Sequence, residues 1–250
     1  MDYSTPLGSN RLLRLIAAED FARLQPHLKS VPLPPGRVLY PFGAAIEHVY
    51  FPVSGMISLL AVMRSGEQIE TGVIGRDGVA GASVAIDGWT SGAQATVQIE
   101  GAAWQIPAGD FLKIYRTSDG FRSLINRYVG IVLFQAQQSA ACNAIHSLEA
   151  RLCRWMLHVQ DTLQEDVIAL TQEFLSHMLG VRRTSVSLCA HALQKSGLIQ
   201  YARGKIKIVD REGLQEKACE CHANIREYME QVIPSGQGRQ VGASSASNDR

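Results

Sequence analysis

The sequence predicts an α+β chain: an N-terminal β-roll of jelly-roll type, a long central helix, and a C-terminal helix-turn-helix followed by a β-hairpin wing. Three observations carry this. Glycine recurs from Gly36 to Gly109 between short apolar runs, and from Asp119 onward the period becomes helical. Leu170 to Val209 then holds a helix–glycine–helix pattern and a basic hairpin. A chain of 250 residues with 46% hydrophobic and 19% charged residues has room for two ordinary domains and a packed core.

The first unit is expected over residues 1–118. Leu12, Leu15, Ile16, Phe21, Leu24 and Leu28 have roughly helical spacing, broken into short pieces and ended near Pro26. Runs such as Val49-Tyr50-Phe51, Met56 to Val62 and Thr96 to Ile99 then read as strands. Arg64-Ser65-Gly66-Glu67 reads as a hairpin turn, with Gly66 free to take positive φ.

Residues 119–147 form the next unit. Leu124, Tyr128, Ile131, Gln135, Gln138 and Cys142 step by four and three, which predicts a continuous helix of about seven turns at 3.6 residues each. Its apolar surface exceeds what one small β-domain covers. Two arrangements satisfy it: a two-stranded coil with a second copy, which makes these residues a dimer interface, or burial within its own chain.

Residues 148–217 are expected to form the helix-turn-helix unit, 218–233 a terminal helix, and 234–250 a disordered tail too polar to bury apolar area. Leu148, Leu152, Trp155, Met156 and Val159 share a helix face. Thr171 suits an N-cap, Leu175, Met178 and Leu179 form an apolar face, and Gly180 permits a tight turn. Val181, Val186 and Leu193 can then pack inward, leaving Arg182, Arg183, Thr184 and Ser187 facing outward. A helix N-terminus so furnished offers N–H groups to phosphate and side chains to base edges. Arg203, Lys205 and Lys207 lie at and beside the tip of the following hairpin, where they suit phosphate contacts.

The net charge is only +1, yet Gly180 to Arg211 carries seven basic residues against the single acid Asp210. Such a run is either a solvated face or a nucleic-acid footprint. No apolar run reaches the ~18 residues that span a bilayer, so no membrane partner is expected. Met1 to Asn10 lacks the pattern of a secretory signal, and five cysteines without scaffold spacing fit reduced thiols in the cytoplasm.

From these residues the chain resembles the Crp/Fnr superfamily of bacterial regulators over about residues 12–215. The resemblance rests most specifically on Leu170-Thr171-Gln172-Glu173-Phe174-Leu175, Gly180 to Val186, Leu193 and Ser196-Gly197-Leu198-Ile199. In the front half it rests on Pro35 to Tyr40, Tyr50 to Ile57 and Asp77-Gly78-Val79-Ala80-Gly81, which match the family's cyclic-nucleotide-binding roll. It implies a homodimeric regulator of transcription. Double-stranded DNA, a second copy and RNA polymerase would be its partners, with an unidentified small-molecule effector or none. Arg183 stands at the place of the family's first reading arginine, while Thr184 and Leu188 replace a glutamate and a second arginine.

The resemblance marks Gly78, Gly81, Ala82, Gln94 and Thr96 as effector-pocket candidates. Ala82 stands where nucleotide-binding members carry a ribose-binding glutamate, and no Arg or Lys occurs between Asp77 and Leu112. An anionic phosphate loses its charge-assisted bonds there, so binding of cyclic AMP through the usual clamp is not expected; Arg76 is the nearest rescue candidate. No cofactor, metal site or catalytic residue is expected. The sequence shows no nucleophile elbow, phosphate loop or zinc-ligand spacing. Cys219-Glu220-Cys221-His222 is the one local cluster, but two residues apart on a helix point about 200° apart. The competing reading is a sensor module whose C-terminal helices contact protein rather than DNA.

Overall fold

A computed structural model describes residues 9–87, 90–202 and 204–234. Arg203, and the tail beyond Pro234, lie outside the described residues. The chain opens with two short helices, α1 (Arg11–Leu15) and α2 (Ala18–Leu24). Asn10 caps α1 and donates from Nδ2 to the carbonyls of Pro52 and Gly78, both at 2.8 Å, which fixes this segment on the roll.

The roll is antiparallel: β1 (Lys29–Leu33), β2 (Val38–Tyr40), β3 (His48–Val62), β4 (Gln68–Ile74) and β5 (Gln94–Pro107), in the order β1-β5-β3-β4 with β2 also on β5. A short helix α3 (Val84–Asp87) lies between β4 and β5. The runs read as separate short strands are in fact two long ones, β3 and β5, bent at register shifts around Pro52 to Ile57. Gly55 makes the bend possible. Its φ is +74°, and a Cβ there would sit 2.6 Å from the carbonyl oxygen of Ile99.

Helix α4 (Ala108–Thr117) and the long α5 (Asp119–Ile145) cover the roll. Phe51, Phe111 and Phe121 are fully buried, with Phe111 and Phe121 edge to face at 5.3 Å. After α5 come α6 (Leu148–Leu163), β6 (Val167–Ala169), α7 (Gln172–Leu179), α8 (Arg183–Lys195), β7 (Ile199–Ala202), β8 (Lys205–Ile208), α9 (Arg211–Lys217) and α10 (Cys221–Val232). The wing is a three-stranded sheet in the order β6-β8-β7. Its third strand, β6, went unread because three residues carry no usable period.

The direction α5 faces corrects the sequence reading. Leu124, Tyr128, Ile131, Gln135 and Cys142 are buried within their own chain. Tyr128 fills the space where a Cβ at Gly78 would stand, and Gln135 Oε1 accepts from Val73 N–H at 3.3 Å. Gln138 receives a long bond from Asn224 of α10. This stripe therefore packs on the roll and on α10. The face left open carries Leu133, 59% exposed, with Ala140, Ala144 and Ile145 also exposed.

The two halves share apolar packing. Met56 of β3 and Val73 of β4 join the core of Leu152, Trp155, Leu175, Val186 and Ile206. At this junction Glu70 is buried; Trp155 Nε1 donates to it at 2.8 Å and Ser58 donates a second bond. Burial raises the Glu70 carboxyl above its ordinary range, against the pull of those two donors. His158, near the same junction, is pushed down to about 4 by burial and by Arg154.

Candidate nucleic-acid interface

The helix-turn-helix forms as its residues dictate. Thr171 caps α7 by accepting from Phe174 N–H at 3.1 Å. Gly180 ends α7 in the left-handed region at φ +62°, and Val181 N–H bonds back to Ser176 O at 3.0 Å. Val186, Ala190 and Leu193 of α8 are buried against the core, which fixes the opposite face outward.

That outward face begins with Arg182, Arg183 and Thr184, all exposed at the N-terminal end of α8. Among the described residues neither guanidinium has a hydrogen-bond or ion-pair partner within the chain. Ser187 departs from expectation. It is half-buried, with its hydroxyl 2.5 Å from Gln172 Oε1 and 3.0 Å from the Arg183 carbonyl, so it braces α8 against α7 and is not free to face outward. Leu188, 74% exposed one turn beyond Thr184, stands on the open surface instead. Sequence reasoning passed over it as a mere departure from pattern, although an apolar side chain there is what a thymine methyl would meet.

The wing places its charges by strand alternation. In β8, Lys205 and Lys207 are exposed while Ile206 and Ile208 are buried. Gly204 turns the hairpin at φ +74°, and its carbonyl accepts from Leu170 N–H at 2.8 Å, which holds the tip near the start of α7. Gln194 of α8 accepts from Tyr201 N–H at 2.8 Å, tying the wing to the reading helix. Two cationic features, one helical and one on a hairpin, thus belong to one hydrogen-bonded unit.

The effector-pocket candidates divide. Gly81 and Ala82 line a cavity of about 180 Å³ with Tyr40, Ser83, Ser91 and Tyr128, closed on one side by Val129 and Val132 of α5. Gly78 serves the packing of Tyr128. Gln94 and Thr96 bond to each other at 3.1 Å on the face of β5 opposite buried Ala95 and Val97, and do not line the cavity. Among the described residues no charged one lines it, and Arg76 faces a different cleft with Arg11, Arg14 and Asp161. The space is smaller than the roughly 300 Å³ at which ordinary ligand pockets begin.

The cysteine reading also needs correction. Ala218 is extended, so α9 and α10 are separate helices and Cys219 precedes α10 rather than sharing it with Cys221. The two thiols therefore do not share one helix and are not forced apart by its periodicity. Cys142, His146, Cys219 and Cys221 meet, with one ligand atom from each within 4.8 Å of the others.

Two protein families match the chain. The cyclic nucleotide-binding domain matches residues 30–118, and the Crp-like helix-turn-helix domain matches residues 150–217. The chain belongs to the Crp/Fnr superfamily. Solved structures carry the same fold across both halves of this regulator. A Crp/Fnr-family transcriptional regulator from Eubacterium rectale superposes with a TM-score of 0.65 at 16% identity, covering 84% of this chain and 98% of its own. FixK2 from Bradyrhizobium japonicum gives 0.67 at 14% identity, covering 77% and 98%. The c-di-GMP-responsive global regulator CLP from Xanthomonas campestris gives 0.62 at 17% identity, covering 77% and 99%. No curated protein matches in sequence. The fold is that of a DNA-binding transcription regulator, and no described helix of it is long and apolar enough to cross a membrane.

Proposed function

We propose that this Crp/Fnr regulator binds DNA sequence-specifically as a homodimer and that its roll does not take a cyclic nucleotide through the family's phosphate clamp. The observation that carries the first part is the exposed Arg182-Arg183-Thr184 at the start of α8, whose guanidinium groups have no partner among the described residues, in a unit that also exposes Lys205 and Lys207 on the wing. Arg183 and Thr184, with Leu188, supply base contacts; Arg182, Lys205 and Lys207 supply phosphate contacts. Thr171, exposed at the start of α7, adds a backbone contact. Arg203, which the sequence places between β7 and β8, is assigned to the same phosphate-binding set.

The pairing face is the open side of α5, where Leu133, Ala140 and Ala144 recur at coiled-coil spacing with Val129, Ala136 and Gln137 beside them. The uncharged lining of the roll cavity argues against an anionic ligand. The finer partners, RNA polymerase and an effector, follow from the family.

Selection of duplexes from a random pool, followed by fluorescence anisotropy across salt, tests the reading. A dimer making roughly six to ten phosphate contacts loses about 10³–10⁵-fold in affinity between about 50 and 200 mM salt. Absence of any duplex binding at low salt overturns it. Calorimetry with cyclic AMP is expected to give no binding isotherm.

A further inference from the structure

The strongest feature the DNA-binding reading leaves unused is the meeting of three cysteines and a histidine where α5 ends and α10 begins. We propose that Cys142, His146, Cys219 and Cys221 form a tetrahedral site for one Zn²⁺ ion that staples these two helices together.

The geometry is that of a mononuclear site. Cys142 Sγ lies 3.5 Å from Cys219 Sγ, and Cys221 Sγ lies 3.7 Å from His146 Nδ1. Bond lengths of about 2.3 Å to sulfur and about 2.0–2.1 Å to nitrogen, at tetrahedral angles, place neighbouring ligand atoms about 3.5–3.8 Å apart. All four ligand atoms already fall within 4.8 Å of one another. A multi-iron cluster needs its thiolates spread more widely than this. Three sulfurs and one imidazole select zinc over hard cations.

The surroundings fit a closed structural site. Cys142, Cys219 and Cys221 are 0%, 7% and 3% exposed and form a small core of their own, with Ala150 packed against it. The second nitrogen of His146, Nε2, stands 3.2 Å from Glu220 Oε2. A proton held on Nε2 by that carboxylate leaves the Nδ1 lone pair aimed at the thiols, the arrangement that orients metal-bound histidines. Cys142 sits in the last turn of α5 and His146 caps it, while Cys219 and Cys221 straddle the start of α10. All four residues lie outside the two family-matched segments. Binding releases the thiol protons to solvent and leaves the ion held by three thiolates and a neutral imidazole.

The test uses the full chain, freed of any polyhistidine tag and kept reduced. Elemental analysis is expected to find one zinc per chain. Replacement by Co²⁺ is expected to give tetrahedral d–d bands with thiolate charge-transfer absorption. Cys142→Ser and Cys221→Ser each lose the metal, whereas Cys189→Ser keeps it. Glu220→Gln, which touches no ligand atom, lowers zinc affinity by roughly 10–100-fold. His146→Cys retains a full complement of zinc with a shifted cobalt spectrum, so a folding defect in the serine variants does not decide the matter. Full-length reduced protein that binds zinc no better than Cys142→Ser overturns the proposal. So does an octahedral cobalt spectrum, or a Cys142–Cys219 disulfide that persists under reductant in place of metal.

Discussion

At the scale of single residues, the reading surface divides into side chains that discriminate and side chains that hold. Arg183→Ala is expected to reduce affinity for the selected duplex by about 1–3 kcal/mol, roughly 5- to 150-fold, while non-specific binding changes far less. Lys205→Ala is expected to weaken both alike and lower the salt slope by about 1. Equal losses for the two variants would mean that α8 does not lie in the groove. Much at this scale was legible: the cap at Thr171, the turn at Gly180 and the outward arginines follow from local chemistry. Ser187 did not, because its partner Gln172 stands on another helix, and no single-helix period reveals an inter-helix hydrogen bond.

Elements raise a different question, which side of each one meets what. The stripe Leu124 to Cys142 was visible as a helical repeat, but a repeat does not say which surface it meets. Here it meets the roll, where Tyr128 fits against Gly78. The open face carries the prediction for assembly: Leu133→Glu places a charge in a small-residue seam and is expected to yield monomer in sedimentation analysis, with the fold retained by circular dichroism. A dimer of undiminished affinity would move the interface elsewhere. Gly180→Ala tests the turn. An L-residue at φ +62° costs about 1–2 kcal/mol, and its Cβ would touch Ile69 of β4 at 3.4 Å, so a lower unfolding midpoint in urea is expected.

On the scale of the whole molecule, the two halves are joined by a shared core and a buried carboxyl, neither of which sequence periodicity encodes, since both depend on contacts between distant segments. Glu70 carries a testable pH signature. Its folded pKa is raised by burial, so its contribution to stability is fully present below the unfolded value, near 4.5, and is lost as pH rises through the folded value. Glu70→Gln keeps an acceptor for Trp155 and removes the ionisation. The variant's advantage over the parent is therefore expected to grow as pH rises above the unfolded value and to vanish in acid, measured by tryptophan fluorescence during urea unfolding. An advantage that does not vary with pH would show that the carboxyl is not ionising at the junction.

The return of the last helix has its own consequence. Arg11 holds the carbonyl of Ile233 and the carboxylate of Glu230, Arg127 holds the carbonyl of Val232, and Tyr228 stacks on Phe134 at 4.2 Å. A segment that follows the winged unit is thereby anchored to the sensor half, so the reading head is tethered at both of its ends. A body fastened at two points can tilt but cannot swing freely, and any signal that reorients the arginines must act as a rocking motion between those moorings.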